Sequence, residues 1–184
     1  MTIYLDHAAS APVRDAAREA WIAASAVSGN ASSVHAAGQG ARRLLEESRE
    51  RIADVLGCDP IEVVLTSGGT EAVNLALKGL WWARPSGSTA IVLPDGEHHA
   101  TLDTAAWLHE QGAQLRPVAL NGVGRIDPVA FAAAATTPDS AALMTALVAN
   151  NEVGTVQDAV ALAAAAASAG VPLHLDAVGA VGHI

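Results

Sequence analysis

The sequence predicts an α/β protein built on a three-layer, doubly wound and largely parallel sheet. Short apolar runs typical of buried strands alternate with helical stretches of roughly 10–15 residues. Glycines stand where several of the helices should end, and polar motifs follow the strands directly. Parallel neighbours need crossover connections, and helices in those connections cover both faces of the sheet. We find no internal repeat and no low-complexity linker.

The elements follow in order along the chain. Pro12 opens a helical pattern that continues to about residue 26, and apolar residues at helical spacing over 41–55 predict a second helix, which Gly57 ends. Pro60 separates that helix from the first strand. Strand-like runs then follow at 62–65, 89–93, 114–120, 141–148 and 171–175. Helical stretches separate the strands at about 70–83, 99–111, 127–135 and 158–169.

Composition limits the class of protein. The 184 residues are enough for one core, and an apolar fraction of 51% excludes a disordered chain. A formal charge of −9 argues against partners that present nucleic-acid phosphates or an anionic membrane surface. No apolar run reaches the roughly 20 residues that span a bilayer, and no secretory signal is visible at the N-terminus. A single cysteine, Cys58, fits a reducing compartment, and we expect a cytoplasmic protein.

The motif TSGGTE at residues 66–71 joins a strand end to a helix start. Ligands of parallel sheets bind beyond the carboxyl ends of the strands. Glycines there let an anion approach the backbone, and the first N–H groups of the helix carry a partial positive charge. An ordinary capped turn has the same composition, and no Gly-Lys-Ser/Thr follows as in a P-loop. Taken alone, the motif fits a phosphate site and a turn equally well.

Three further motifs supply a carboxylate, an imidazole and amides at the same rim. Asp176 ends a strand among apolar neighbours and favours a cationic partner such as a protonated pyridine nitrogen, although it could also cap the next turn. His98 follows a strand and can stack on a flat ring or move a proton. Asn150 and Asn151 form an amide-rich turn that can donate to a phenolic oxygen or a carboxylate.

A metal site is a competing interpretation of these residues. The segment 95–99 (DGEHH), together with His174 and Asp176, offers nitrogen and oxygen ligands. A two-histidine helical spacing such as HExxH is missing from the sequence. We therefore expect no metal, and a metal-dependent hydrolase stays as an alternative.

Taken together, the motifs resemble the cysteine desulfurase family, which are pyridoxal-phosphate enzymes of the class V aminotransferase group with fold type I. Their order and spacing match the first half of that family. The resemblance is carried by the segments 4–10 (YLDHAAS), 29–35 (GNASSVH), 66–74 (TSGGTEAVN), 97–103 (EHHATLD), 150–154 (NNEVG) and 174–182 (HLDAVGAVG).

By position, the resemblance implies a role for each polar residue. Gly69 and Thr70 hold the phosphate of pyridoxal 5′-phosphate. His98 stacks on the ring and is the catalytic residue, whereas Asn151 reaches the ring oxygen or the substrate carboxylate. Asp176 pairs with the pyridine nitrogen.

The resemblance also implies an N-terminal arm over residues 1–14 and a partial cofactor-binding large domain over 15–184. The rest of the large domain, the small domain, the Schiff-base lysine and the sulfur-accepting cysteine belong to the second half of the family. The only lysine here, Lys78, lies about 12 Å beyond Thr70 along its predicted helix. Cys58 does not stand at the family's cysteine position. Gly179 replaces the glutamine that usually bonds the phenolic oxygen.

The activity implied for the parent enzyme is conversion of L-cysteine to L-alanine, with transfer of the sulfur as a persulfide. We expect this chain to be inactive alone. The implied partners are a second copy in a homodimer and a sulfur acceptor such as an iron–sulfur scaffold, and neither nucleic acid nor membrane is expected. The alternative to a fragment is a short non-catalytic homologue that acts as a binding, regulatory or split-protein partner.

The isolated chain should form no Schiff base with added pyridoxal 5′-phosphate, because no lysine lies at the predicted ring position. We expect no Schiff-base absorbance band that survives desalting. Stoichiometric attachment of the cofactor to Lys78 after borohydride reduction would contradict this expectation.

Overall fold

The computed structural model describes residues 3–184, which form two compact units that divide between Leu65 and Thr66. The first unit contains the helices α1 (Asp15–Ser25) and α2 (Ala36–Leu56) and a 3-10 helix at Pro60–Glu62. Residues 3–14 contain neither helix nor strand, and residues 1 and 2 lie outside the described part of the chain. The predicted division into an arm over 1–14 and a domain over 15–184 stays a prediction.

The second unit is built on a four-stranded sheet with the order β2-β1-β3-β4. All of its ladders are parallel. The strands are β1 (Ala90–Pro94), β2 (Gln114–Val118), β3 (Leu143–Leu147) and β4 (Leu173–Asp176). The helices are α3 (Gly69–Ala83), α4 (His99–Glu110), α5 (Pro128–Thr136) and α6 (Ala159–Ala169).

Helices cover both faces of this sheet because neighbouring strand residues point to opposite sides. Ile91 and Leu143 belong to a buried cluster that α3 and α4 complete. Val92 and Met144, each one residue further along its strand, belong to a second cluster with Phe131 of α5 and residues of α6. The predicted three-layer, doubly wound α/β fold is confirmed, and membership of fold type I is examined below with the site.

One predicted strand does not form. Residues 63–65 carry no strand hydrogen bonds, and Glu62 ends the 3-10 helix instead. A capping box fixes that helix, in which the Glu62 carboxylate accepts from the Asp59 N–H at 2.8 Å. The carbonyl of Val63 accepts a hydrogen bond from the Arg49 side chain. The apolar run over 62–65 was therefore wrong as a strand, because local caps and a side-chain donor satisfy its backbone.

The strand order reverses between β1 and β3, and this reversal creates a crevice. The β1–β2 ladder extends to the pair Pro94 and Val118. The β1–β3 ladder, in contrast, pairs only Ile91 with Leu143 and Val92 with Met144. Beyond those pairs β1 and β3 separate toward their carboxyl ends. In doubly wound sheets this switch point is where ligands bind.

Core packing on the α3 face can be tested with one substitution at two positions. Leu77 is fully buried, whereas Leu75 in the same helix is 54% exposed. We expect Leu77→Ala to lower the free energy of unfolding by about 2–5 kcal/mol, and Leu75→Ala to lower it by less than about 0.5 kcal/mol. Denaturant unfolding of both variants measures the difference. Equal losses would contradict the described packing.

Candidate functional site

An open cleft of about 990 Å³ lies at the switch point of the sheet. Its walls are the loop after β1, the turn after β2 and the turn after β3, so the cleft is built at the carboxyl ends of three strands. Its lining includes His98 and Asn151, which the sequence analysis singled out. The structure thus brings two of the predicted site residues to one cleft.

His98 is fixed at the N-terminus of α4. Its Nδ1 accepts a hydrogen bond from the N–H of Ala100 at 3.0 Å, which makes the imidazole the N-cap of the helix. The neutral ring therefore carries its proton on Nε2, which the cap leaves available. The ring is exposed and lies edge-on to that of His99, with 6.4 Å between the centroids.

The two asparagines after β3 have different roles. Asn150 is structural, because its Oδ1 accepts from the N–H groups of Glu152 and Val153, each at 2.9 Å. Its Nδ2 donates to the carbonyl of Gly96 at 2.9 Å and ties the turn after β3 to the loop after β1. The neighbouring Asn151 is exposed, and its amide donates only to the Glu152 side chain, at 2.8 Å. The position predicted as a ligand contact is therefore the accessible one.

Asp176 lies at the end of β4, and its side chain is buried. Its Oδ1 accepts from the N–H of Val178 at 3.1 Å. Val178 in turn lies against the start of α3, since a Cβ placed on Gly69 would lie 2.8 Å from Val178 Cγ2. A buried carboxylate and a helix N-terminus are therefore neighbours at this rim. Neither Asp176 nor Gly69 lines the cleft that contains His98.

The start of α3 offers N–H donors. Gly68 is the N-cap, so the N–H groups of Gly69 and Thr70 belong to the first turn, where no intrahelical acceptor exists. Glu71 turns back to Ser67, whose N–H donates to its carboxylate at 2.8 Å. Hydrogen bonds from the Ser67 hydroxyl and then from its N–H lower the pKa of Glu71. Glu71 therefore occupies Ser67 and leaves the donors of Gly69 and Thr70 unused.

Glu97 is the site residue that sequence reasoning missed, having entered it only as a metal-ligand candidate. Its side chain is 8% exposed, and Oε1 accepts from the N–H of Leu147 at 2.7 Å. Oε2 is buried without a hydrogen-bond partner. Burial raises the pKa of Glu97 to about 7, the Leu147 N–H opposes that shift, and the charge of Asp176 adds to it. The one signal in the sequence was an acidic residue directly after a buried strand.

His174 occupies the strand position two residues before Asp176. Its Nδ1 lies 2.9 Å from the hydroxyl of Thr145 on β3. Burial lowers the pKa of His174, and the nearby negative charge of Asp176 opposes that shift. His174 is therefore a neutral strand residue near neutral pH.

Three residues named in the sequence analysis lie away from these contacts. Lys78 lies over the ring of Trp107 with its Nζ 4.5 Å from the centroid, on the side of α3 that faces α4. Cys58 is a free thiol in the loop after α2. Gly179 has no positive φ, and a Cβ there would lie 3.5 Å from the carbonyl oxygen of Ala149. The backbone at Gly179 therefore accepts a side chain.

Two broader searches cover the described residues only. Within residues 3–184, no three or more His, Cys, Asp and Glu side chains cluster closely enough to hold a metal ion. None of the helices in the same part of the chain has the length and apolar character that crossing a bilayer requires.

The comparisons with known proteins agree with the fold and the rim. Residues 3–184 match the aminotransferase class-V family. An IscS-like cysteine desulfurase of Mycobacterium tuberculosis is 45% identical over 98% of this chain and 47% of its own length. The structure of SspA in complex with cysteine has a TM-score of 0.86 and 31% identity over 95% of this chain and 50% of that one. A NifS-like protein has a TM-score of 0.87 and 28% identity over 95% and 48%.

The chain therefore belongs to the aminotransferase class-V family. Its relatives are cysteine desulfurases, and the structures that match it are fold type I cysteine desulfurases, so the resemblance inferred from the motifs is confirmed. The chain spans about half the length of the curated relatives it matches, in agreement with the predicted N-terminal portion. Membership of this family implies pyridoxal phosphate as the family's cofactor.

The raised pKa of Glu97 predicts a pH-dependent stability. Because the pKa is about 7 in the fold and ordinarily near 4.5, the protonated carboxyl contributes stability that is lost as the pH rises from about 5 to 8. Glu97→Gln cannot ionise. We expect its free energy of unfolding, relative to the unmodified chain, to rise by about 2 kcal/mol over that pH range.

Denaturant unfolding at pH 5 and pH 8 measures this change. Glu110→Gln, at the exposed end of the same loop's helix, is the matched control and should show no such change. Parallel pH profiles for Glu97→Gln and the unmodified chain would contradict the burial of an uncharged carboxyl.

Proposed function

We propose that this chain is the cofactor-binding part of a pyridoxal-phosphate-dependent cysteine desulfurase. One observation carries the proposal. The buried carboxylate of Asp176 and the N-terminus of α3 are adjacent at one rim, joined by Val178. A phosphorylated pyridinium ring needs both a fixed negative charge for its nitrogen and N–H donors for its phosphate.

The charge of Asp176 supports the ring assignment. Its side chain is 5% exposed, and among residues 3–184 no Lys, Arg or His forms an ion pair with it. A carboxylate buried without a cation is costly. A protonated ring nitrogen supplies that cation, so the residues present fit the group.

The start of α3 supports the phosphate assignment. The N–H groups of Gly69 and Thr70 are free of intrahelical acceptors, and the positive end of the helix dipole adds to their attraction for an anion. The Thr70 hydroxyl is a third donor. Glycine at position 69 matters because any Cβ there would displace Val178.

His98 and Asn151 are assigned to the ring and the substrate. The imidazole of His98 is oriented by its cap to Ala100, so Nε2 is the atom that holds or moves a proton, while its flat face is suited to stacking. The exposed amide of Asn151 orients the ring oxygen or the substrate carboxylate by donating a hydrogen bond. When bound, the pyridoxal group supplies the electron sink for bond breaking at the α carbon of an amino acid.

The remaining chemistry needs groups beyond this chain. Lys78 is held over Trp107, so we assign the Schiff-base lysine and the sulfur-accepting cysteine to the half that the curated relatives contain in addition. The whole protein then converts L-cysteine to L-alanine and retains the sulfur as a persulfide on its cysteine thiol. We propose that it acts in the cytoplasm as a homodimer and passes the sulfur to an acceptor protein such as an iron–sulfur scaffold.

Two substitutions separate the two anchor roles. Asp176→Asn should lower turnover at saturating cofactor, because a neutral amide does not keep the ring nitrogen protonated. Thr70→Ala should instead weaken cofactor binding by about 10- to 150-fold, which corresponds to about 1.5–3 kcal/mol for a hydrogen bond to a charged phosphate. Excess cofactor should restore turnover in Thr70→Ala only.

Both variants are measured in protein that combines this chain with the lysine-bearing half. Thr136→Ala is the control, because its hydroxyl bonds only to carbonyls of its own helix, α5. Full activity of Asp176→Asn with cofactor saturated would remove Asp176 from the ring nitrogen.

A further inference from the structure

The buried carboxyl of Glu97 connects two strands where their backbones no longer pair. The β1–β3 ladder ends at Val92 and Met144. Three residues further along β3, the N–H of Leu147 donates to Glu97 Oε1 at 2.7 Å. A side chain thus replaces the missing backbone acceptor, and it does so at the edge of the ligand crevice.

This contact places the carboxyl beside the ring-nitrogen residue. Leu147 is the register partner of Asp176 in the β3–β4 ladder. The Glu97 side chain is therefore attached to the backbone position directly across from Asp176. The two acidic groups interact electrostatically, as the raised pKa of Glu97 reflects.

The second oxygen of Glu97 is the unexplained atom. Oε2 is buried and has no hydrogen-bond partner. The strand β3 (Leu143–Leu147) contains no titratable side chain, and β4 contributes His174 and Asp176. From α4 and its cap the nearby titratable residues are the exposed His98 and His99 and, further along, Asp103. The one charge that acts appreciably on Glu97 is therefore that of Asp176.

We propose that Glu97 is a positioning residue that changes its protonation when a cationic ring pairs with Asp176. Without that cation, the negative charge of Asp176 keeps a proton on Glu97. When the pyridinium neutralises Asp176, the O–H bond at Glu97 breaks and the proton passes to solvent. The second carboxylate then helps to retain the proton on the ring nitrogen. This role rests on the proposed function.

The coupling is measured first without any ligand. The carboxyl carbon of Glu97 is followed by ¹³C NMR across pH in the purified protein and is assigned by its loss in Glu97→Gln. Asp176→Asn should lower the titration midpoint of Glu97, because it removes the like charge. An unchanged midpoint in Asp176→Asn would overturn the proposal.

The second measurement adds pyridoxamine 5′-phosphate, which carries the same ring and phosphate and needs no lysine. We expect the midpoint of Glu97 to fall by about one pH unit in the complex. Affinity of the unmodified protein should correspondingly increase by about tenfold, relative to Glu97→Gln, between pH 6 and pH 8. Glu110→Gln is the matched control and should behave as the unmodified protein.

Each outcome decides between the two levels of the proposal. Pyridoxamine 5′-phosphate that fails to bind the unmodified protein at every pH overturns the proposed function, and the role of Glu97 with it. Binding that leaves the midpoint of Glu97 unchanged overturns only the role of Glu97. The NMR measurement uses the unmodified side chain, so it decides even if Glu97→Gln fails to fold.

Discussion

The separation of β1 and β3 at their carboxyl ends is the constraint on which the site depends. Two strands that diverge leave backbone donors and acceptors without partners, and burying such groups unsatisfied is costly. Side chains meet that need here. Glu97 accepts from Leu147, and Asn150 donates to Gly96. The crevice stays open because these two bridges stabilise it from inside.

The same bridges explain why neighbouring residues of one type have different roles. Asn150 spends its whole amide on the loops around it, so it has no capacity left for a ligand. Asn151 is free to approach one. A comparable division holds for the acidic residues, since Glu71 is engaged by Ser67 whereas Asp176 stays without a cation among the described residues. Function is assigned to the groups that the scaffold does not consume.

Much of the second unit could be predicted from the sequence, because its elements are long and their periodicity is strong. The helices α3 to α6 and the strands β1 to β4 all lie within a few residues of the predicted ranges. The run at 62–65 failed for the opposite reason. It is short, and the local cap of Asp59 and Glu62 competes with strand pairing at no cost in chain entropy.

The site was predictable in part. Strand ends and a glycine-rich helix start are local patterns, so Gly69, His98 and Asp176 could be named from the sequence. Burial, in contrast, depends on which strands become neighbours. The side chain of Glu97 reaches an N–H that lies 50 residues further along the chain, and no local pattern encodes that contact. A glutamate beside two histidines therefore resembled a solvated ligand set.

Gly179 shows how independent the chemistry of this rim is of its scaffold. Its backbone adopts a conformation open to any residue, and a Cβ would make ordinary contact with Ala149, 3.5 Å from its oxygen and 3.8 Å from its Cβ. Natural variation at this position is therefore cheap, since neither β3 nor β4 must move. The turn can gain or lose a polar side chain in a single evolutionary step, so lineages with the same fold can differ in how the ring's oxygen is bonded.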